Sequence, residues 1–234
     1  MTVINQIGRV IEIRLEGRGE TGALIECPPG MLPSSGQYLQ ALARDDRDVV
    51  LPVSLFPCQL TSSATHAGDT QFATAPPVPA SWQPGTSLIL RGPLGRGFHT
   101  PHPLKRLGLA TIGHSASRLL PLIDSAAEIA LFSKSLPPDL PAHVEVNPLN
   151  ELQTALSWAD FLAIDCPLEQ LATLPDLLGI EVDGPLPCPA QILVSASMPC
   201  GALAECGVCA IPAKRGYKLA CKDGPVFDWG EFRL

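Results

Sequence analysis

Aromatic residues are scarce in this 234-residue chain, at 5% of the sequence, and charged residues make up only 17%. There is no run of Lys and Arg, and the formal net charge is −7. The electrostatic footprint of a nucleic-acid binder is therefore missing. No apolar run is long enough to span a bilayer, which excludes a helical membrane span. The first residues show no basic segment followed by an apolar stretch, so no secretory signal is visible. Also missing are a G-x-S-x-G nucleophile elbow, an H-E-x-x-H zinc motif and a convincing carboxylate pair. No residue is thus singled out as catalytic, and hydrolysis has no local support. His66, His99, His102, His114 and His143 are scattered, and His99 and His102 read as solvated loop residues. What remains is a folded globular protein, 46% hydrophobic, expected in a reducing cytoplasm.

Two residue types are plentiful: 25 prolines, which point to short elements and many loops, and eight cysteines. Four cysteines stand together near the end, at Cys200, Cys206, Cys209 and Cys221, separated by five, two and eleven residues. In a reducing compartment such a cluster means metal rather than disulfides. Thiolates are soft ligands, and a C-x-x-C pair brings two sulfurs to one centre. A [2Fe–2S] cluster of the plant type uses C-x4-C-x2-C and a distant fourth cysteine, one residue shorter in the first gap than here. Zinc ribbons usually carry two C-x-x-C knuckles, whereas this chain has one. Gly201 and Gly207 each follow a cysteine and would let backbone N–H groups approach sulfur. Iron–sulfur is favoured, with structural zinc as the alternative. Cys27, Cys58, Cys166 and Cys188 lie outside the pattern and are expected not to ligate.

Earlier in the chain, residues 10–16 alternate Ile11, Ile13 and Leu15 with charged residues, the period of a half-buried strand. Further short strands are predicted at 23–27, from Tyr38, at 49–55 and at 87–90, with no helical period between them. That succession suits an antiparallel barrel. From residue 107 the texture changes. Strands are predicted at 107–112, 128–133, 161–165 and 191–195. Helices are predicted at 115–127, 147–158 (with Asn147 as N-cap) and 168–178. Alternating strands and helices imply a small parallel sheet. The expected organisation is a β-barrel over 1–100, a reduced α/β nucleotide-binding-like unit over 101–186 and a cluster-binding unit over 187–234.

The C-terminal text, M-x-C-G…C-x-x-C followed by G-Y-K-x-x-C-K-D-G-P-V-F-D, resembles the electron-transfer subunit of dihydroorotate dehydrogenase. The segment from Lys222 to Asp228 is its most specific part. At the barrel end, Arg91-Gly-Pro-Leu-Gly-Arg-Gly-Phe98 is similar to that family's barrel-closing motif. Ser35-Gly36-Gln37 is similar to its P-G-Q. The resemblance implies a ferredoxin-reductase-like barrel, a Rossmann-like domain and a C-terminal [2Fe–2S] loop held by Cys200, Cys206, Cys209 and Cys221. It also implies FAD against Ser54 and against Gly92, Pro93, Leu94, Gly95 and Gly97. The implied partner is a flavin-containing catalytic subunit of the dihydroorotate dehydrogenase type in a heterotetramer, serving pyrimidine biosynthesis.

The nucleotide positions depart from that family. Its R-P-x-S reads Leu51-Pro52-Val53-Ser54 here, so the charged phosphate partner is lost. The glycine-rich turn keeps only Gly113, in Gly113-His-Ser-Ala-Ser117, and the C-G-P beside the nicotinamide becomes Cys166-Pro167. Arg91, Arg96 or Arg118 could replace the missing charge. These departures predict weak or partner-assisted FAD and no useful NAD binding. They favour an electron-transfer subunit over a stand-alone FAD/NAD(P)H reductase. A zinc-stabilised interaction module is the other alternative.

Overall fold

The alternation in the first strand meets an early irregularity. In the computed structural model, which describes residues 5–15, 19–45, 51–59, 70–113, 115–135, 140–182 and 184–233, β1 (Asn5–Leu15) pairs antiparallel with β2 (Thr21–Cys27). A bulge lies between Val10 and Glu12. One extra residue moves the alternation to the other face. Val10 is therefore fully buried, while Leu15 at the strand end is 77% exposed. The sheet continues with β3 (Tyr38–Ala43), β4 (Val53–Leu55), β5 (Pro57–Gln59), β6 (Thr70–Thr74) and β7 (Ser87–Leu94), in the order β4-β3-β7-β1-β2-β6-β5. Its two edge strands are consecutive in the chain, so the sheet curls back on itself as a barrel. Ile25, Leu39, Leu55, Phe72, Leu88 and Leu90 are in its interior. Tyr38 packs instead with the second core, as does Phe56.

The second sheet holds β8 (Arg106–Thr111), β9 (Glu128–Ser133), β10 (Val144–Pro148), β11 (Phe161–Pro167), β12 (Ala190–Ser195) and β15 (Val226–Asp228), in the order β10-β9-β8-β11-β12-β15. The first five are parallel, and β15 joins antiparallel to β12. The order of the parallel strands, 3-2-1-4-5 in their own succession, reverses direction between β8 and β11. In open α/β sheets that switch point is where a crevice forms beyond the strand ends.

The connections are less helical than the sequence predicts. Residues 115–127 form a 3-10 turn, Ala116–Leu122, with Pro121 inside it. Asn147 is not a helix cap: it lies in β10, its amide donating to Glu145. Only α1 (Leu152–Trp158) and α2 (Leu174–Leu178) are α-helical here, each entered through a 3-10 turn. Pro121, Pro148 and Pro175 explain this, since proline lacks an N–H and biases the preceding residue away from helix.

After β12 the chain makes a loop, then the hairpin β13 (Ala210–Pro212) and β14 (Tyr217–Leu219) and the short α3 (Ala220–Asp223). It then returns as β15 to the sheet it left. The cysteine loop is thus tied at both ends to one sheet. On its other side it meets the barrel: Tyr38 and Phe56 share a core with Met198, Cys209, Cys221 and Phe227.

Candidate functional site

Beyond β12, Met198 and Pro199 lead into the loop that carries Cys200, Cys206 and Cys209. Gly201, Ala202, Ala204 and Gly207 all have positive φ, from 60° to 71°. A left-handed conformation costs a residue with a Cβ roughly 1–2 kcal/mol. Ala202 and Ala204 are therefore held there by their surroundings, as happens where a loop is shaped for a ligand. Such steps turn neighbouring N–H groups inward, as in an anion-binding nest. The N–H groups of Glu205, Leu203 and Ala204 reach the Cys200 sulfur. Burial pushes the Cys200 thiol up, but these N–H groups and the neighbouring Cys206 thiol outweigh it and bring it down to about 6.

The other two thiols approach from the hairpin side. The Cys209 carbonyl accepts a hydrogen bond from the Ala220 N–H at 3.0 Å, which seats α3 and its Cys221 beside it. Burial first, and then the adjacent Cys209 thiol, push the Cys221 thiol up to about 12. Cys209 and Cys221 are buried, Cys200 half-buried and Cys206 exposed. The phenol of Tyr38, on the barrel, donates to the Cys221 carbonyl at 3.1 Å. Burial raises its pKa, Cys221 and Cys209 add to the rise and Arg91 opposes it, so Tyr38 stays a protonated donor.

Cys206 neighbours Cys200, and Cys209 neighbours Cys221, which also feels Cys200. Among the described residues no three His, Cys, Asp or Glu side chains are close enough to share one ion. Thiols with N–H groups aimed at sulfur suit an iron–sulfur cluster, whose potential such hydrogen bonds set. The five-residue gap between Cys200 and Cys206 holds the left-handed residues Gly201, Ala202 and Ala204.

A second region lies between the barrel and the parallel sheet. It is a cleft of about 260 Å³, lined by Ser54 and Phe56 from the barrel, by Arg118, and by Ser195 and Met198 from the end of β12. The Ser54 hydroxyl accepts from the Gln40 amide at 2.7 Å and faces Met198 sulfur at 3.8 Å. The buried Ser195 hydroxyl has no hydrogen-bond partner among the described residues, so the cleft offers one free polar group to a ligand. At the switch point, by contrast, the groups are used internally. Arg118 bonds both carboxylate oxygens of Asp165, at 3.2 and 3.3 Å, and its guanidinium lies 5.3 Å from the centre of the Phe56 ring. The side chain of Ser115 caps the 3-10 turn that follows β8, accepting from the Ser117 N–H. Gly113 has φ +90°, and a Cβ there would come 2.8 Å from the Gln170 amide. The Gln170 side chain thus packs closely against Gly113.

The two halves of the expected flavin site lie on either side of β3, on β4 and at the end of β7. Ser54 lines the cleft, whereas the loop 92–97 packs on the C-terminal region. A Cβ on Gly95 would be 2.5 Å from Pro225 and 2.7 Å from the Gly224 carbonyl. On Gly97 it would be 2.6 Å from the Ser35 carbonyl, and on Gly92 2.6 Å from Leu39. Pro93 lies with Gly92 in β7, and Leu94 pairs with Tyr38. Leu51, at the position of the missing arginine, is 53% exposed. Cys27, Cys58, Cys166 and Cys188 are buried in other parts of the fold. The Cys166 thiol, pushed up by burial and by Asp165, donates to the Pro167 carbonyl. The His99 N–H donates to Gln191, and His66 and His114 lie outside the described residues. Sequence reasoning missed Tyr38, Phe56 and Asp165 as site residues. The available signal was a Tyr and a Gln at alternate positions of a strand whose other residues are apolar.

A barrel, a 3-2-1-4-5 parallel sheet and an appended thiol loop define a ferredoxin-reductase-like fold. The NADH-dependent reduced ferredoxin-NADP oxidoreductase, described in connection with flavin-based electron bifurcation, superposes with a TM-score of 0.67 at 13% identity, covering 99% of this chain and 90% of its own. Phthalate dioxygenase reductase gives 0.53 at 9% identity, covering 83% and 69%. The ferredoxin reductase of carbazole 1,9a-dioxygenase gives 0.53 at 17%, covering 76% and 66%. No curated protein sequence matches the chain significantly. Residues 196–233 match the iron–sulfur cluster binding domain of dihydroorotate dehydrogenase B. What the chain shares with these structures is the fold. The likeness to the cluster binding domain of dihydroorotate dehydrogenase B covers the C-terminal region, from just after β12 to Arg233.

Proposed function

We propose that Cys200, Cys206, Cys209 and Cys221 hold a [2Fe–2S] cluster, and that the chain relays electrons between a flavin and a catalytic subunit of the dihydroorotate dehydrogenase type. The observation that carries this reading is that Cys200, Cys206, Cys209 and Cys221 lie in one region, from the loop after β12 to α3, with three N–H groups on the Cys200 sulfur. The cluster itself would supply one-electron chemistry. The chain's residues bind it, set its exposure and place Cys206 at the surface. In the same loop as Cys206, Leu203 and Val208 are each more than half exposed. An apolar rim beside an exposed ligand suits a partner that docks there, within a heterotetramer in the cytoplasm.

FAD binding is proposed to be weak or partner-assisted, carried by the Ser54 side of the cleft. The exposed Leu51 and the inward-packed loop 92–97 support this. NAD is proposed not to bind usefully, because the switch point is occupied by Arg118, Asp165 and the Ser115 cap. The test is anaerobic isolation with iron, sulfide, zinc and flavin analysis, and a native pull-down. The expected protein is red-brown, bleaches with dithionite, carries little flavin and co-purifies with a flavoprotein. A colourless protein with stoichiometric zinc, or a tight 1:1 FAD complex rapidly reduced by NADH, would overturn the reading.

A further inference from the structure

The barrel touches the cysteine loop through one hydrogen bond that packing alone does not require. Tyr38 is fully buried, its ring 5.4 Å from that of Phe56 and boxed in by Gly95, where a Cβ would approach the ring to 3.0 Å. Phenylalanine would fill the same space. The hydroxyl is therefore the informative atom, and it donates to the carbonyl of Cys221 at 3.1 Å. That carbonyl belongs to one of the two buried cysteines, on the side of the loop shielded from water.

We propose that the Tyr38 hydroxyl is a positioning group for the cluster: it fixes the backbone of Cys221 and, by pointing the positive end of its dipole at that residue, raises the cluster's reduction potential. This rests on the reading of Cys221 as a ligand. Hydrogen bonds around the ligands and burial are the protein's means of setting such potentials, and supporting contacts orient the ligands themselves. Adding an electron makes the cluster more negative, so a donor dipole beside it favours the reduced state. Phe56 also lines the cleft. Two rings in contact thus join the cleft to the residue that carries the buried sulfur.

The experiment is a redox titration of the full chain with its cluster, followed by visible absorption and by EPR of the reduced state. Tyr38→Phe keeps the ring and removes the donor. It is expected to shift the midpoint potential to more negative values at unchanged iron content. The chain has only two tyrosines. In a Tyr217→Phe background, 3-fluorotyrosine therefore labels Tyr38 alone, strengthens the donor and is expected to shift the potential the opposite way. This second measurement decides if Tyr38→Phe fails to fold. A folded Tyr38→Phe that cannot take up the cluster supports the positioning role. Unchanged potentials, or shifts of the same sign in both proteins, overturn it. A parent protein without a cluster would instead overturn the ligand reading.

Discussion

In the loop from Met198 to Cys209, backbone N–H groups and thiols converge on one another, and two alanines are held left-handed to aim them. At the switch point of the parallel sheet, Arg118 pairs with Asp165, and Ser115 caps the 3-10 turn by accepting from the Ser117 N–H. The first is the candidate cluster site and the second is where open α/β sheets form a crevice, but only in the first do N–H groups aim at thiols. The difference is one of satisfaction. A site shaped for a ligand stores strain and leaves donors convergent, whereas a site released from that task can bury an ion pair and close.

The sharpest test of this contrast is the thiols themselves. Serine at Cys209 or Cys221 is expected to abolish the visible absorption and the bound iron, because a buried hydroxyl is a poor replacement for a thiolate. Serine at Cys27 or Cys166, both buried elsewhere, is expected to leave the spectrum unchanged. A spectrum that survives Cys209→Ser would break the comparison at its stronger end.

The opposite end breaks at Asp165. Its carboxylate is fully buried, and Arg118 is largely so. Asp165→Asn would leave the guanidinium with a neutral partner, and breaking such a buried pair costs about 3 kcal/mol. Urea unfolding followed by circular dichroism should register that loss, with no gain in NADH affinity. A variant as stable as the parent would mean that the crevice does not depend on its ion pair.

How much of this was legible beforehand follows from the same contrast. The cluster loop could be read because its chemistry is local: four cysteines and two glycines carry it within 22 residues. The two sheets could be read because strand texture changes at residue 107. The Arg118–Asp165 pair spans 47 residues and the Tyr38–Cys221 bond 183. No period or spacing announces either. The helix lengths failed for a local reason, since Pro121 and Pro148 interrupted patterns whose apolar spacing was otherwise helical. Leu15 failed because a bulge is a one-residue event that alternation cannot reveal.

Gly95 tests whether the barrel and the cluster region form one unit. Its φ is +78°, and a Cβ would meet Pro225 and the Gly224 carbonyl. Gly95→Ala combines left-handed strain with overpacking, about 2 kcal/mol in sum. Hydrogen exchange should accelerate first in β15 and α3, next to the displaced contact, before it does so in β8. Uniform acceleration would show that no separate contact was lost.

Arg96 is expected to have the smallest effect. Its guanidinium reaches Glu231 at 3.2 Å and Asp228 at 3.9 Å, and Glu231 also pairs with Lys218 in the hairpin. The Arg96 side chain is 43% exposed, so solvent screens both contacts. Exposed pairs contribute about 0–1 kcal/mol. The Arg96 N–H, however, donates to the Gly224 carbonyl, and substitution leaves that backbone bond in place. Arg96→Ala is therefore expected to lower stability by about 1 kcal/mol or less, and less still in high salt, with cluster content unchanged. A loss well above that, insensitive to salt, would show that the junction is held by a network that acts as a unit. The cluster loop would then depend on charges around it as strongly as the crevice depends on Asp165.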